Sequence, residues 1–329
     1  MRIVYAGSPG IAVPALEALV DLEQTGEHGV VGIVTNPDSP RGRHGKPEPT
    51  EVSVAATGLS ENRKAQGRPA LVQLKPENHS AQVLDQIAAL KPDLLISFAY
   101  GHIFSPRFLS LFPQGGINIH PSLLPRYRGP TPIQAAILAG DRETGITIQT
   151  LAKEMDAGDI LVQERFPLSG KETTGDLSAL VAQKAAALLP DLLKRLTQGM
   201  PIGRPQAHEQ ASFCSLITKE DGHIDWSWSA ASIAARIRAF TPWPRSWTLH
   251  GEQYLYILEG KPCTVVEPMA QTKPAVPGTV LGIDKQEGIL IQTGAGVLGV
   301  TRLQYRTKKA LAWRIFLNGT RNFIGSSLG

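Results

Sequence analysis

The chain has 329 residues, of which 42% are hydrophobic and 19% charged, a composition typical of a soluble globular protein. The length exceeds what one hydrophobic core usually serves and predicts two domains. The two cysteines, Cys214 and Cys263, exclude a disulfide framework and indicate a reducing compartment. The sequence begins without a signal-peptide pattern and has no apolar run of the roughly 20 residues that span a bilayer. We therefore expect a cytoplasmic protein that has no membrane partner.

The net charge of +4 comes entirely from the C-terminal part, because acidic and basic residues balance over positions 1–207. The last 28 residues contain no acid and six basic residues, which are Arg302, Arg306, Lys308, Lys309, Arg314 and Arg321. This pattern is typical of a surface that binds a polyanion such as nucleic acid. A basic face that only contacts water fits the charge equally well.

The first half of the chain alternates between short β-type runs and segments with helical spacing of apolar residues. We predict strands at 2–7, 29–36, 92–101, 116–120 and 144–151, and helices at 13–24, 81–91 and 131–140. A polar loop rich in proline and glycine occupies 37–50. The alternation predicts an α/β fold with a mostly parallel sheet, in which ligands bind at the carboxyl ends of the strands.

The pattern changes after about residue 190. A helix gives way to a linker with glycine and proline, and a short helix is predicted at 232–240. Five or six short β-type runs follow: SWTLHG, QYLYILEG, CTVVEP, GTVLGID, GILIQTG and GVLGVTRLQ. They predict a small barrel or sandwich. We divide the chain into a catalytic α/β domain at 1–190, a linker at 191–207 and a C-terminal domain at 208–329.

The strand at 116–120 ends in two polar side chains, Asn118 and His120, that alternation places on one face. An amide and an imidazole both donate hydrogen bonds, and two converging donors suit an oxyanion that develops during a reaction. For the pair alone, the alternative is a capped strand end with a satisfied asparagine and a surface histidine. The stiff loop that follows, with Pro121 and Pro125, favours a ligand site. Arg126 and Arg128 in this loop either hold an anion or are solvated.

Asp156 and Asp159 flank an Ala-Gly turn in the segment KEMDAGDIL. Asp156 is a candidate to orient or charge His120, or to relay a proton, provided that the fold brings the two together. A simple turn, in which the aspartate bonds its own backbone, is the alternative. We find no cluster with metal-ligand spacing, no serine-histidine-aspartate pattern and no P-loop, so we predict no metal.

The motif INIHPSLLPRYRG, together with MDAGDI downstream, resembles the signature of the folate-dependent formyltransferases. The resemblance implies the donor 10-formyltetrahydrofolate and a catalytic trio of Asn118, His120 and Asp156. It also implies that backbone groups after the strand in FAYGHIF bind the pterin. The implied pocket residues are Ala99, Tyr100, Gly101, His102, Ile103, Ser122, Leu123, Leu124 and Pro125. Tyr100 and His102 fit ordinary loop positions equally well.

Two further segments are similar to methionyl-tRNA formyltransferases: GHIDWSWSAASIAARIRAFTPWPRSW at 222–247 and the basic loop at 35–53. This similarity implies a Rossmann-like domain followed by an OB-type barrel, a monomer, and initiator methionyl-tRNA as the acceptor. The implied tRNA contacts are Arg41, Gly42, Arg43, Lys46, Arg302, Arg306, Lys308, Lys309 and Arg314. Two alternatives stay open: a formyltransferase for a small amine such as an amino sugar, and a folate- or RNA-binding module without catalysis.

Overall fold

A computed structural model describes residues 1–40, 45–199, 203–263 and 275–329 of the chain. The chain forms two compact units. The N-terminal unit comprises Met1–Pro132, Glu143–Pro167 and Ser178–Cys214, and the C-terminal unit comprises Ile133–Arg142, Leu168–Leu177 and Ser215–Gly329. No helix in the described ranges is both long and apolar enough to cross a membrane.

In the part of the chain that the structure describes, nine strands precede residue 170: β1 (Arg2–Gly7), β2 (Gly29–Val34), β3 (Ser39–Pro40), β4 (Pro47–Glu48), β5 (Gln73–Leu74), β6 (Leu94–Phe98), β7 (Gly116–His120), β8 (Glu143–Thr150) and β9 (Ile160–Pro167). The helices through residue 197 are α1 (Val13–Asp21), α2 (Glu51–Ala65), α3 (Ala81–Ala89), α4 (Pro106–Leu109), α5 (Pro132–Ala139) and α6 (Thr174–Thr197). The predicted linker at 191–207 thus begins with the last turns of α6.

The N-terminal unit is built on a seven-stranded sheet in the order β5-β2-β1-β6-β7-β8-β9. The first five strands in this order, from β5 through β2, β1 and β6 to β7, pair in parallel. Strands β8 and β9 pair in antiparallel orientation. The prediction of a mostly parallel sheet wrapped by helices is therefore confirmed. Every residue of β6 is buried, as expected for a central strand covered on both faces.

The register across the middle of this sheet fixes the neighbours of the polar strand end. Asn118 in β7 lies opposite Ser97 in β6 and opposite Gln149 in β8. His120 lies opposite Thr147. The turn from β8 to β9 begins beside the amino end of β7, where the amide of Leu151 donates to the carbonyl of Gly116 at 2.7 Å. The turn then brings Asp156 to Asn118 and His120.

The C-terminal unit contains β10 (Ser246–His250), β11 (Gln253–Pro262), β12 (Val280–Asp284), β13 (Gly288–Gln292), β14 (Val297–Tyr305), β15 (Leu311–Ala312), α7 (Ala230–Ala239) and α8 (Trp313–Asn318). The strands form an antiparallel sheet in the order β10-β11-β14-β13-β12, and β15 pairs with β14. Buried residues of α7, such as Ile233, pack on its inner face with Leu255 and Leu303. The strand predicted at CTVVEP lies outside the described residues from position 264 onward.

The segment after α8 bonds to both edge strands of this sheet. Leu249 in β10 exchanges two backbone hydrogen bonds of 3.1 Å with Gly329. On the other side, the amide of Val280 in β12 donates to the carbonyl of Ser326 at 2.9 Å, and Leu328 donates to Gly278 at 2.9 Å. The segment therefore lies between β10 and β12.

Candidate active site

The structure brings Asn118, His120 and Asp156 together at the carboxyl end of β7. Nδ1 of His120 lies 3.6 Å from Oδ1 of Asp156, and the amide nitrogen of Asn118 lies 3.5 Å from the same oxygen. Asp156 arrives from the turn between β8 and β9, 38 residues after Asn118 in the chain. A carboxylate, an imidazole and an amide thus share one small volume in the N-terminal unit.

Hydrogen bonds fix the carboxylate of Asp156 in place. Its Oδ2 accepts from the backbone amide of Gly129 at 2.8 Å, and its Oδ1 accepts from the side-chain amide of Gln149 at 3.1 Å. Asp156 has φ of 52°, a left-handed conformation that aspartate tolerates better than most residues. The turn packs tightly, since a Cβ on Gly158 would lie 1.8 Å from the carbonyl oxygen of Thr150.

His120 is only 4% exposed. Its Nε2 lies 2.8 Å from the carbonyl oxygen of Tyr127, which can only accept, so this nitrogen carries a proton and donates. Its Nδ1 faces Asp156. Burial lowers the pKa of His120, and Arg128 adds to this effect, while Asp156 and the Tyr127 carbonyl pull the pKa upward. The expected effect of Asp156 on this pKa is present, but desolvation outweighs it and the ring is neutral at pH 7.

Behind Asp156 lies a buried chain of side-chain amides that the sequence did not predict. The side-chain amide of Gln206 donates to the carbonyls of Asp156 (2.9 Å) and Gly158 (2.7 Å) and to Oε1 of Gln149 (3.0 Å). Oε1 of Gln206 accepts from the Arg128 guanidinium at 2.7 Å. Gln206 lies in the predicted linker, where no local pattern marks it, and Gln149 becomes recognisable only through its register with Asn118.

Arg128 is 4% exposed and also donates to Nδ1 of His208 at 3.0 Å. The suggestion that this arginine is solvated is therefore wrong. Its guanidinium is held inside the protein by Gln206 and His208, behind the turn that carries Asp156.

The segment after β6 that we expected to bind the pterin has an unusual backbone. Ala99 and Gly101 have positive φ of 50° and 88°. Among the described residues, none forms a hydrogen bond with the backbone groups of 101–103, so these groups are available to a ligand. Ile103 and His102 are exposed beside them.

The side chain of Tyr100 points into the protein. Its hydroxyl lies 3.3 Å from Nε2 of His79, and its ring stacks on His79 and Phe104. Burial raises the pKa of Tyr100 to about 12. The ring therefore packs in the core, and only the backbone of Tyr100 remains a candidate for ligand contact.

The loop residues Ser122 to Pro125 form a rigid wall. The hydroxyl of Ser122 donates to the carbonyl of Arg126 at 2.6 Å. The amide of Leu124 donates to Thr147 at 3.1 Å, and its carbonyl accepts from Gln163 at 2.9 Å. Leu123 and Pro125 are half-buried. The loop can present apolar surface and fixed shape to a ligand, whereas its polar groups at 122 and 124 are bonded internally.

The expected tRNA contacts fall into two groups. Arg41, Gly42 and Arg43 lie outside the described residues, and Lys46 is exposed next to the β3–β4 pair. In the C-terminal unit, Arg302, Arg306, Lys308, Lys309 and Arg314 are all exposed. Arg302 pairs with Glu259 at 3.4 Å, while the guanidinium groups of Arg306 and Arg314 lie over the rings of Tyr254 and Trp313.

Comparison with known proteins identifies the family. The Formyl transferase model matches residues 1–193, and the model of the Formyl transferase C-terminal domain matches residues 216–321. The chain belongs to the formyl transferase family. Within it, the protein is 46% identical over 327 residues, covering 98% of each chain, to a protein from Treponema denticola named methionyl-tRNA formyltransferase.

Solved structures share the fold of this formyl transferase. HypX from Aquifex aeolicus in complex with tetrahydrofolic acid matches with a TM-score of 0.63 and 17% identity, over 98% of this chain and 48% of that chain. The N-formyltransferase from Helicobacter canadensis in complex with folinic acid and dTDP-3-aminofucose matches with a TM-score of 0.63 and 17% identity, over 91% and 98%. Within the described residues, no group of three or more His, Cys, Asp or Glu side chains is placed to hold a metal.

Proposed function

We propose that this enzyme transfers the formyl group of 10-formyltetrahydrofolate to the α-amino group of initiator methionyl-tRNA. The products are formylmethionyl-tRNA and tetrahydrofolate. The observation that carries the proposal is the cluster of Asn118, His120 and Asp156 in a chain whose full-length relative has this activity by name. A binding module without catalysis has no need of a partly buried carboxylate that faces a neutral imidazole.

Asn118 serves as the donor to the oxygen that becomes negative when the amine attacks the formyl carbon. Its amide carries two N–H bonds, of which one points to Asp156 at the long distance of 3.5 Å. The amide is half-buried, where a fixed donor is worth more than in water. One such donor contributes roughly 3 kcal/mol of transition-state stabilisation.

His120 accepts the proton that the amine must lose, and Asp156 stabilises the resulting positive charge. His120 is neutral and its Nε2 donates to Tyr127, so the lone pair of Nδ1 is free to take this proton. The imidazolium that forms lies 3.6 Å from the carboxylate of Asp156, which stabilises it. Nδ1–H then becomes the second donor to the oxyanion and returns its proton when the folate nitrogen leaves.

The segment after β6 fits the flat pterin with its edge of donors and acceptors. Backbone groups of 101–103 are available to pair with such an edge, and the residue pair Leu123 and Pro125 supplies an apolar wall. The folate supplies the activated formyl group on N10. Ala99, Tyr100, Gly101, His102, Ile103 and Ser122 to Pro125 form the folate site in this proposal.

Residues 1–190 form the catalytic domain, and residues 208–329, after the linker at 191–207, form a domain that holds the tRNA through Arg302, Arg306, Lys308, Lys309 and Arg314. The basic loop with Arg41, Gly42, Arg43 and Lys46 reaches the acceptor end. We propose that the C-terminal domain is an OB-type barrel; hydrogen bonds from Leu249 and Val280 to the last residues support closure between β10 and β12. The enzyme works as a cytoplasmic monomer.

The decisive test is a formylation assay. The purified protein is incubated with 10-formyltetrahydrofolate and either initiator methionyl-tRNA or a nucleotide-linked amino sugar. We expect formylmethionine after mild deacylation of the tRNA and no formylated sugar. Transfer to the sugar alone would preserve the catalytic cluster and overturn the tRNA substrate, and transfer to neither would overturn the proposal.

A further inference from the structure

The outer face of β10 and β11 carries aromatic side chains instead of the polar residues typical of a solvent-facing strand. The burial pattern assigns Ser246, Thr248, Leu255 and Ile257 to the inner face, so alternation places Trp247, Tyr254 and Tyr256 on the outer one. Trp247 lies directly opposite Tyr256 in the ladder. The inner-face residues Leu255 and Ile257 belong to the hydrophobic core, while the three outer rings lie on its other side.

The rings of Trp247 and Tyr254 contact each other, and each of the two tyrosine rings faces an arginine. The rings of Trp247 and Tyr254 lie 4.8 Å apart between centroids. The guanidinium of Arg306 lies 5.1 Å from the centroid of Tyr254, and that of Arg245 lies 5.8 Å from the centroid of Tyr256. We call Trp247, Tyr254, Tyr256, Arg245 and Arg306 the aromatic face.

This arrangement is held in place by the sheet. The amide of Arg306 donates to the carbonyl of Tyr254 at 3.0 Å, which puts the arginine beside that ring. Arg245 donates to Oε1 of Gln304 at 3.0 Å. The indole nitrogen of Trp247 donates to the carbonyl of Lys219 at 3.1 Å. The rings and cations therefore have fixed positions, which lowers the entropy lost when a ligand binds.

The charge around the rings favours an anionic partner. Arg245 and Arg306 are exposed, and Lys308 and Lys309 follow on the next turn of the chain, also exposed. The acidic Glu259 on β11 is paired with Arg302 at 3.4 Å. Tyr254 is 38% exposed, which leaves part of its ring open between the cations.

An exposed tyrosine ring beside half-buried aromatic rings and fixed cations matches the chemistry of unpaired nucleotides. A base stacks on an aromatic ring, and its phosphate pairs with arginine or lysine. A base-paired stem hides its bases and offers phosphates only, so it would use the cations and not the rings. An acidic protein surface would leave the rings without a flat partner.

We propose that the aromatic face binds an unpaired nucleotide of the tRNA, whose base stacks on Tyr254 and Trp247 and whose phosphate contacts Arg306. The site rests on the proposed function, because it assumes that tRNA is the acceptor. It gives this tRNA a contact that is remote in sequence from the catalytic cluster. The C-terminal domain would then make two kinds of contact with the tRNA. The aromatic rings bind an unpaired base, and the basic side chains bind phosphates.

Binding measurements on three variants test the site. Tyr254→Ala removes the ring, Tyr254→Phe keeps it, and Arg306→Gln removes one charge at similar size. Each variant is titrated with unmodified initiator tRNA and with a blunt-ended RNA duplex of the same length. The titrations are repeated at salt concentrations from about 50 to 200 mM, over which counterion release changes RNA affinity strongly.

We expect Tyr254→Ala to weaken tRNA binding about tenfold at every salt concentration and to leave duplex binding unchanged. Tyr254→Phe should stay within about twofold of the unaltered protein, and Arg306→Gln should lower the salt slope by about one for both RNAs. Equal tRNA affinity of Tyr254→Ala and the unaltered protein, or an equal loss on the duplex, would overturn the site.

Two controls keep this outcome distinct from other failures. The thermal unfolding midpoint of each variant shows whether the sheet is intact. If Tyr254→Ala unfolds, the test falls to Tyr254→Phe, which keeps the ring. A loss of tRNA affinity in that variant would overturn the site. Formylation by the unaltered protein is measured in parallel. Formylation together with unchanged binding by Tyr254→Ala would overturn the aromatic face alone, whereas absence of formylation would overturn the proposed function.

Discussion

The catalytic cluster and the aromatic face differ in how their polar groups are held. In the cluster, Nε2 of the enclosed His120 bonds to Tyr127, and the two carboxylate oxygens of Asp156 accept from Gly129 and Gln149. On the aromatic face Tyr254 and the two arginines are exposed, the other two rings are half-buried, and the sheet holds all of them in place. Buried groups that share partners should respond strongly and jointly to substitution, while exposed ones should respond weakly and independently.

Asp156→Asn should give the largest effect. The amide cannot stabilise an imidazolium by charge, so we expect kcat/KM for formylation to fall about 10²- to 10⁴-fold. Single-turnover rates of formylmethionine release report the loss. A variant that retains more than half of the activity would remove Asp156 from the proton transfer.

The pH profile sharpens this prediction. His120 must be neutral to accept a proton, and burial holds its pKa below the ordinary value of 6.5. We expect protonation of His120 to have no effect on kcat/KM above pH 6.5 and to lower kcat/KM at more acidic pH. Since Asp156 raises the pKa of His120, Asp156→Asn should move this acid limb to lower pH. A limb that moves upward would contradict the assignment.

His120 also makes the free energy of unfolding depend on pH, and this free energy likewise falls at low pH. The unfolded chain binds a proton at His120 more readily than the folded one, because the folded-state pKa is the lower of the two. The stabilising contribution is complete above pH 6.5 and is lost as the pH falls from there through the folded-state pKa. Urea unfolding at several pH values, with His120→Gln for comparison, measures it.

Asn118→Ala should follow in magnitude. Removal of one oxyanion donor costs about 10²- to 10³-fold in kcat, with KM for both substrates nearly unchanged. Steady-state kinetics separate the two parameters. A change confined to KM would make Asn118 a binding residue instead.

Gln206→Leu tests the buried chain behind the cluster. It leaves the carbonyls of Asp156 and Gly158 without a partner and the guanidinium of Arg128 with His208 alone, and we expect a loss of about 3 kcal/mol in the free energy of unfolding. Gln210→Leu, at an exposed position nearby, is the matched control and should change it by less than about 0.5 kcal/mol. Equal effects of both in urea unfolding would show that the chain contributes no stability.

Glu259→Gln should have the smallest effect. The exposed pair with Arg302 contributes about 0.5 kcal/mol or less to stability, so the thermal midpoint should barely move. Freeing Arg302 should raise tRNA affinity about two- to threefold and make it more salt-dependent. Weaker binding of tRNA would place Arg302 away from the RNA.

The strand end was predictable because its signals are local. β7 has the bounds expected from the sequence, Gly116–His120, and alternation places Asn118 and His120 on one side. The position of Asp156 was inferred from a family resemblance and not from spacing. The pairing direction of β8 and β9 is not encoded in their apolar pattern, which is why the turn that carries Asp156 was seen only as a possibility.

Long-range partners were not predictable. Gln206 bonds to Asp156, 50 residues earlier, and to Arg128, 78 residues earlier, and nothing in its surroundings marks a buried amide. The helix α2 was missed for another reason, since its apolar residues form no clear stripe and Val54 is exposed. On the C-terminal sheet, the pairing of Trp247 with Tyr256 depends on strand register, which single strands do not reveal.

The segment Gly325–Gly329 has a consequence for self-association. Strand edges with unpaired amides and carbonyls are where β-proteins recruit further copies of themselves into aggregates. In this protein the amide of Val280 on one edge and both backbone groups of Leu249 on the other bond to that segment. The same few residues therefore make both edges of the sheet poor templates for a second chain.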